Sequence, residues 1–103
     1  MKVMSVKIGG KTYTTDKITA YMSRQAIKVN AESVKLSKTA TDDNVVDVYA
    51  ELENILDKKN LIICQVFGDK FTAEELENNL SRPEIDEMFN NIMTGITGTI
   101  EKN

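Results

Sequence analysis

The chain has 103 residues and a formal net charge of −3, with one cysteine, no histidine and no tryptophan. That length is enough for one domain with its own hydrophobic core, and we expect residues 1–103 to form a single domain. The missing histidines exclude Ser-His-Asp and Cys-His nucleophile systems and His-based zinc or haem sites. The lone cysteine excludes a disulfide framework or a Cys-based metal site within the chain.

No part of the sequence has the pattern of a membrane or export segment. The longest apolar run, residues 61–64, is far shorter than the roughly 18 residues of a membrane helix. Residues 1–8 alternate polar and apolar residues and lack the apolar block of a signal peptide. We therefore expect a soluble protein of the cytoplasm.

The charge is divided unequally along the chain. Residues 1–41 carry eight Lys/Arg and two Asp/Glu, a net charge of +6, whereas residues 42–103 carry five and fourteen, a net charge of −9. A basic part on an acidic chain predicts either a nucleic-acid footprint or copies that attract one another head to tail. Two solvated faces without a binding role are the simpler interpretation.

The N-terminal sequence predicts a β-hairpin over residues 3–15. Apolar and polar residues alternate up to Ile8, and a Gly-Gly pair that follows can adopt the positive φ angles of a tight turn. The residues after the turn favour β-structure. A two-residue turn would pair Val6 with Tyr13 and place the aromatic ring on the apolar face.

Helical spacing of apolar residues then predicts two long helices. The first covers residues 18–38, with Thr15, Asp16 or Thr19 as its N-cap. The second covers residues 43–67, where Asp42 or Asp43 would be the N-cap and Gly68 would end the helix. Residues 61–67 are also rich in β-branched and aromatic residues, so a strand there is the alternative.

Two further helices are predicted over residues 73–80 and 82–98. Thr72 and Glu75 form the sequence of a capping box at the start of the first, and Pro83 lies in the first turn of the second. Glycines in the last turns of the second helix should weaken it there. The predicted fold class is α+β, mainly α: an N-terminal β-hairpin followed by three to four helices packed on one core.

The sequence contains no catalytic constellation. The only glycine cluster, at Gly9, lacks the spacing of a phosphate-binding loop and fits a turn. The Asp and Glu clusters at residues 42–47 and 74–77 could bind a divalent metal weakly, but helix capping is the simpler role for them. Cys64 lies among apolar residues, as a buried small hydrophobe would. We therefore predict no enzyme activity, no cofactor and no metal.

Three segments together resemble a known family. The first is Lys-Ile-Gly-Gly-Lys-Thr-Tyr at residues 7–13, the second is Lys-Ile-Thr-Ala-Tyr-Met-Ser-Arg-Gln-Ala at residues 17–26, and the third is Val-Phe-Gly-Asp-Lys-Phe-Thr-Ala-Glu-Glu-Leu at residues 66–76. With this order of elements, the chain is similar over nearly its whole length to the tail assembly chaperones of long-tailed, siphovirus-type phages and prophages of Gram-positive bacteria.

The resemblance implies a non-enzymatic role in virion assembly. A family member binds the long, helical tape measure protein, keeps it soluble and helps the tail tube subunits, a second possible partner, to assemble around it. It acts in the host bacterial cytoplasm and does not remain in the mature virion. In the family, a ribosomal frameshift often adds a second domain to some copies.

Candidate binding residues follow from this role. Met88, Phe89 and Met93 supply the adaptable apolar side chains that a client-binding groove uses, or they are simply part of the core. Head-to-tail self-association would use basic and acidic residues on different helices: Lys28, Lys35, Glu74 and Glu75. The alternative function is a small phage or prophage regulator that binds nucleic acid through the basic N-terminal part, although its lysines are scattered and few aromatic residues lie among them.

Overall fold

Two strands and then four helices follow one another in the computed structural model, which describes residues 4–95. This order confirms the predicted α+β, mainly α class. The elements are β1 (Met4–Ile8), β2 (Lys11–Thr15), α1 (Ala20–Thr39), α2 (Val45–Val66), α3 (Ala73–Asn79) and α4 (Arg82–Thr94), with a short 3₁₀ turn (Asp42–Asn44) before α2.

The two strands pair antiparallel in the predicted register, with Val6 opposite Tyr13. Gly9 and Gly10 have φ angles of 58° and 82°, which a two-residue hairpin turn requires. Alternate residues of β1 are buried, and Tyr13 packs edge-on against Phe71 with 5.2 Å between the ring centroids. The hairpin is thereby attached to the helices, as a two-stranded sheet must be to persist in water.

Helices α1 and α2 form an antiparallel helical hairpin, since only residues 40–44 connect two helices that pack together. Lys58 Nζ of α2 lies 2.8 Å from Glu32 Oε1 of α1. Thr19 caps α1 by accepting a hydrogen bond from the Met22 N–H at 3.1 Å, so the helix begins at residue 20 and not 18.

The predicted Asp N-cap of α2 is wrong. Asp42 and Asp43 lie inside the 3₁₀ turn, and Asn44 organises the connection instead. Its Oδ1 accepts from the Thr41 N–H at 2.7 Å and its Nδ2 donates to the Thr39 carbonyl at 3.0 Å. An asparagine amide can bridge both sides of the turn because it donates and accepts, which an ionised aspartate cannot do.

Helix α2 continues through residues 61–66, so the strand alternative for this segment is wrong. It ends as predicted at Gly68, which adopts a φ of 74°. The Gly68 N–H donates to the Gln65 carbonyl at 3.0 Å and the Asp69 N–H donates to the Cys64 carbonyl at 2.8 Å. These two bonds form a Schellman motif, which satisfies carbonyls that the helix end leaves free.

Capping boxes start the two short helices. Thr72 and Glu75 form the predicted box at α3, and Ser81 and Glu84 form a second one at α4. Helix α4 ends at Thr94, earlier than the predicted residue 98, because Gly95 adopts a left-handed φ of 76°. The rest of that prediction, residues 96–98, lies outside the described residues.

The core lies where β1 and the α3–α4 pair meet one end of the helical hairpin. We call this end the base and the end at residues 40–44 the tip. Only Ala26 and Val29 of α1 are buried, and the first buried residue of α2 is Ile55. The buried apolar residues are Met4, Val6, Ile8, Ala26, Val29, Ile55, Ile62, Ile63, Cys64, Val66, Phe67, Phe71, Leu76, Ile85, Met88, Phe89 and Ile92.

Candidate functional site

The three residues predicted to bind a client belong to α4 and its contacts with the core. Met88 and Phe89 are buried, and Met93 is partly buried against the same cluster. A client could reach Phe89 only if α4 moved away from the helical hairpin. Client binding through these three residues therefore stays a prediction, and it is one that requires the core to open.

The four residues predicted to mediate self-association are exposed, but they differ in how free their side chains are. Lys28 and Lys35 lie on α1, and Glu74 and Glu75 lie on α3. The Glu75 carboxylate already accepts the Thr72 N–H at 3.0 Å within the capping box. Self-association through these residues stays a prediction, for which Glu74 offers the freer carboxylate on α3.

The tip half of the helical hairpin exposes apolar side chains that no described residue covers. No residue from Asn30 to Asn54 is buried, although this stretch includes Val34 on α1 and Val45, Tyr49 and Leu52 on α2. Tyr49 is 64% exposed. Contiguous exposed apolar surface of this kind is typical of a binding site.

Helical periodicity places these side chains on the face that α4 contacts. On α2, Lys59 lies 3.6 Å from Asp86 of α4 and 5.1 Å from the ring centroid of Phe89. Leu52 and Val45 are seven and fourteen residues before Lys59, so they point in nearly the same direction.

The same argument applies to α1. The Ser23 hydroxyl donates to the Met93 carbonyl of α4 at 2.6 Å. Ile27 and Val34 follow Ser23 by four and eleven residues and therefore lie on the same side of α1, where both are exposed. Tyr49 on α2 is one turn after Val45 and ten residues before Lys59, so it points about 80° away from Lys59 and lies at the outer side of this face. We call this surface the distal groove, formed by Ile27, Val34, Val45, Tyr49 and Leu52.

Charged residues of opposite sign border the distal groove. Lys38 is one turn beyond Val34 on α1, and Glu53 is one turn beyond Tyr49 on α2; both are exposed. The charged residues on the α1 side of the tip are mainly lysines. In the 3₁₀ turn and in α2 as far as Asp57, every charged residue is acidic. The groove therefore has one basic and one acidic edge.

The remaining candidates for chemistry have structural roles. A surface cleft of about 630 Å³ lies between β1 and α4 and includes Glu84 and Glu87. The Glu84 carboxylate accepts the Ser81 N–H at 2.8 Å, and hydrogen bonds from Ser81 hold the pKa of that carboxyl below its ordinary value. It is therefore poorly suited to act as a general acid. Burial raises the pKa of the Cys64 thiol, which favours the unreactive protonated form.

Within residues 4–95, no three His, Cys, Asp or Glu side chains lie close enough together to hold a metal ion. No helix in the described part of the chain is long and apolar enough to cross a bilayer.

Sequence reasoning missed the distal groove because its residues continue the apolar stripe of α2. Val45, Tyr49 and Leu52 have the same helical spacing as the buried Ile55, Ile62 and Ile63, so the pattern alone does not distinguish them. A usable signal lies in helix length. Helices of 20 and 22 residues extend about 30 Å, and a 13-residue partner of about 20 Å cannot cover them.

An open apolar groove with charged edges is typical of a surface that binds another protein. A profile of the phage tail chaperone protein family matches residues 1–103, the whole chain. The chain belongs to this family, which confirms the resemblance to tail assembly chaperones. A search of curated proteins and a search of solved structures each found no match.

Proposed function

We propose that the protein binds the tape measure protein of a long-tailed phage or prophage of Gram-positive bacteria, keeps it soluble and promotes assembly of the tail tube around it. The family match over residues 1–103 carries this proposal. It acts by binding alone, as a non-enzymatic chaperone. It works in the host cytoplasm and leaves before the virion is complete.

The exposed apolar surface at the tip of the helical hairpin supports this role. A long helical client presents apolar stripes that associate with one another until a partner covers them. A groove between two helices is a recurring way to bind such a stripe. The protein keeps Tyr49 64% and Val34 46% exposed there and therefore has the apolar surface that such binding needs.

Co-expression tests the proposal directly. The tape measure protein is expressed in a bacterium with and without the tagged protein, and its soluble fraction is measured after centrifugation. We expect it to be soluble and to co-purify only when the tagged protein is present. A client that stays insoluble and does not co-purify in either case would refute the proposal. The tail tube protein, expressed in the same way, tests for a second partner.

A nucleic-acid assay tests the alternative function. The purified protein is titrated into labelled duplex DNA at several salt concentrations. A chaperone should show no binding, because its acidic residues repel phosphates. Binding that weakens steeply with salt would instead indicate a nucleic-acid protein that uses the basic N-terminal part.

We also propose that copies associate through opposite charges on α1 and α3. Lys28 and Lys35 on one copy would face Glu74 on the next. Exposed charges are screened beyond roughly 10 Å at 0.1 M salt. Sedimentation velocity should therefore show oligomers at low salt that dissociate at high salt, and Lys28→Glu with Lys35→Glu should prevent them. Oligomers that are insensitive to salt would contradict this arrangement.

A further inference from the structure

Helix α4 already shows what kind of segment fits between α1 and α2. It is amphipathic, and its buried residues Ile85, Phe89 and Ile92 lie against the base of the helical hairpin. It contacts α2 at Lys59 and α1 at Ser23. The distal groove is the continuation of this same surface toward the tip, where no described residue covers it.

We propose that the distal groove binds one amphipathic helix of the client, placed end to end with α4 so that the tip half of the hairpin becomes a three-helix bundle. This inference rests on the proposed function, because the helix that would occupy the groove is part of the client protein. It adds the surface and the form in which the client is bound.

The length of the uncovered surface sets the size of the client segment. On α2 the groove runs from Val45 to Leu52, seven residues apart, which corresponds to about 10 Å or two helical turns. A segment of that length presents apolar residues at positions i, i+3 or i+4, and i+7. These match Val45, Tyr49 and Leu52, which have the same spacing on α2.

The edges of the groove set the orientation of the client helix. Lys38 on the α1 edge favours acidic client residues, and Glu53 on the α2 edge favours basic ones. A helix with acidic residues on one side of its apolar stripe and basic residues on the other therefore fits in one orientation. Each exposed pair adds little free energy, but the wrong orientation places like charges together.

A second copy of the chain fits this surface less well. Helix α4 stands on the same face as the distal groove, so two copies can meet face to face only with their bases at opposite ends. The two-fold axis that relates such copies runs across the long axis of the hairpins. It therefore places α1 of one copy on α1 of the other, and α2 on α2. The basic α1 of one copy would then lie against the basic α1 of the other, and the acidic first half of α2 would lie against its counterpart.

The test compares two exposed positions on the same helix. Tyr49 is 64% exposed in the groove, and Leu61 is 57% exposed. Leu61 is two residues after Lys59 and so points about 200° away from the α4 side. Tagged wild type, Tyr49→Asp and Leu61→Asp are co-expressed with the full-length tape measure protein, and the client recovered per chaperone is measured. Circular dichroism melting checks that each variant is folded.

We expect Tyr49→Asp to reduce client recovery by tenfold or more, as a central interface residue does, and Leu61→Asp to leave it unchanged. Val34→Asp, on the other helix of the groove, should act like Tyr49→Asp. Equal recovery by wild type and all three variants would overturn the groove and leave the proposed function intact. No recovery even with wild type would refute both.

Self-association of the free protein is measured on the same samples by sedimentation velocity. We expect Tyr49→Asp to leave its oligomeric state unchanged. One combined result would overturn the inference: wild type forms dimers, Tyr49→Asp is monomeric, and client recovery is unchanged. The groove would then bind a second copy of the chain.

Discussion

Phe89→Ala should cost much of the stability of the protein, whereas Tyr49→Ala should cost almost none. The Phe89 side chain is 1% exposed, and Lys59 Nζ lies 5.1 Å from its ring centroid. Replacing a buried phenylalanine by alanine costs about 3–5 kcal/mol, because transfer free energy is lost and a cavity remains. Tyr49 is 64% exposed, and substitutions at such positions change stability by about 0.5 kcal/mol or less.

This difference is large compared with the total stability. A domain of this size unfolds with a free energy of about 5–15 kcal/mol. With a urea dependence of about 1.5 kcal/mol per molar, the Phe89→Ala midpoint should fall by about 2–3 M. Phe89→Leu conserves more volume and should cost about 1 kcal/mol, so it remains measurable if the alanine variant does not fold.

Urea unfolding followed by far-UV circular dichroism measures these midpoints. The reasoning would be refuted if Phe89→Leu and Phe89→Ala matched wild type, or if Tyr49→Ala were as destabilising as Phe89→Ala. The second result would mean that Tyr49 is buried, and the first would mean that α4 does not bury Phe89 in solution. The prediction that Met88, Phe89 and Met93 bind the client directly would then gain support.

Three further predictions concern helix ends and the core. Thr72→Ala removes the hydroxyl that accepts the Glu75 N–H at 3.1 Å, so thermal melting should show a loss of about 1 kcal/mol; no change would mean that the cap contributes nothing. Asn60→Leu removes a buried Oδ1 that has no hydrogen-bond partner among the described residues, so urea unfolding should show a gain of about 1 kcal/mol, and a loss would contradict this. Because the pKa of Glu84 is lowered in the folded protein, its stabilisation is present above its ordinary pKa near 4.5 and is lost as the pH falls through the lower folded value. Glu84→Gln should therefore make stability less dependent on pH below about 5, and an unchanged pH profile would contradict the capping role.

Local chemistry explains which parts of the fold could be predicted from the sequence. The Gly-Gly turn, the Thr72 and Glu75 box and the end of α2 at Gly68 each depend on residues within a few positions of one another. The start of α2 was predicted wrongly although it is also local. Asn44 occupies the N-cap position of α2 without a side-chain cap bond to that helix, and its Nδ2 bond back to the Thr39 carbonyl is one that an aspartate cannot make.

The exposure of the candidate site could not be predicted, because it depends on contacts between distant parts of the chain. Whether Tyr49 and Leu52 are buried depends on where α4 lies along α2. The contacts of α4 with Lys59 and with Ser23 place it at the base. The end of α4 at Gly95 was a separate, local error of prediction. A glycine near a helix end can weaken the last turn or stop the helix, and the sequence predicted only the weakening. Burial of Asn60 is likewise set by its neighbours, since asparagine has no apolar pattern of its own.

The same incomplete coverage gives the helical hairpin two parts with different roles. At the base, α4, α3 and β1 bury Ile55, Ile63 and Phe89, which fixes the angle between α1 and α2. At the tip, where no residue between Asn30 and Asn54 is buried, the helices have only each other and their connecting turn as support among residues 4–95. Segments with few buried apolar contacts open with the smallest free energies. A client helix that fills the distal groove would supply the missing contacts, so binding would stabilise the tip and leave the base as it is.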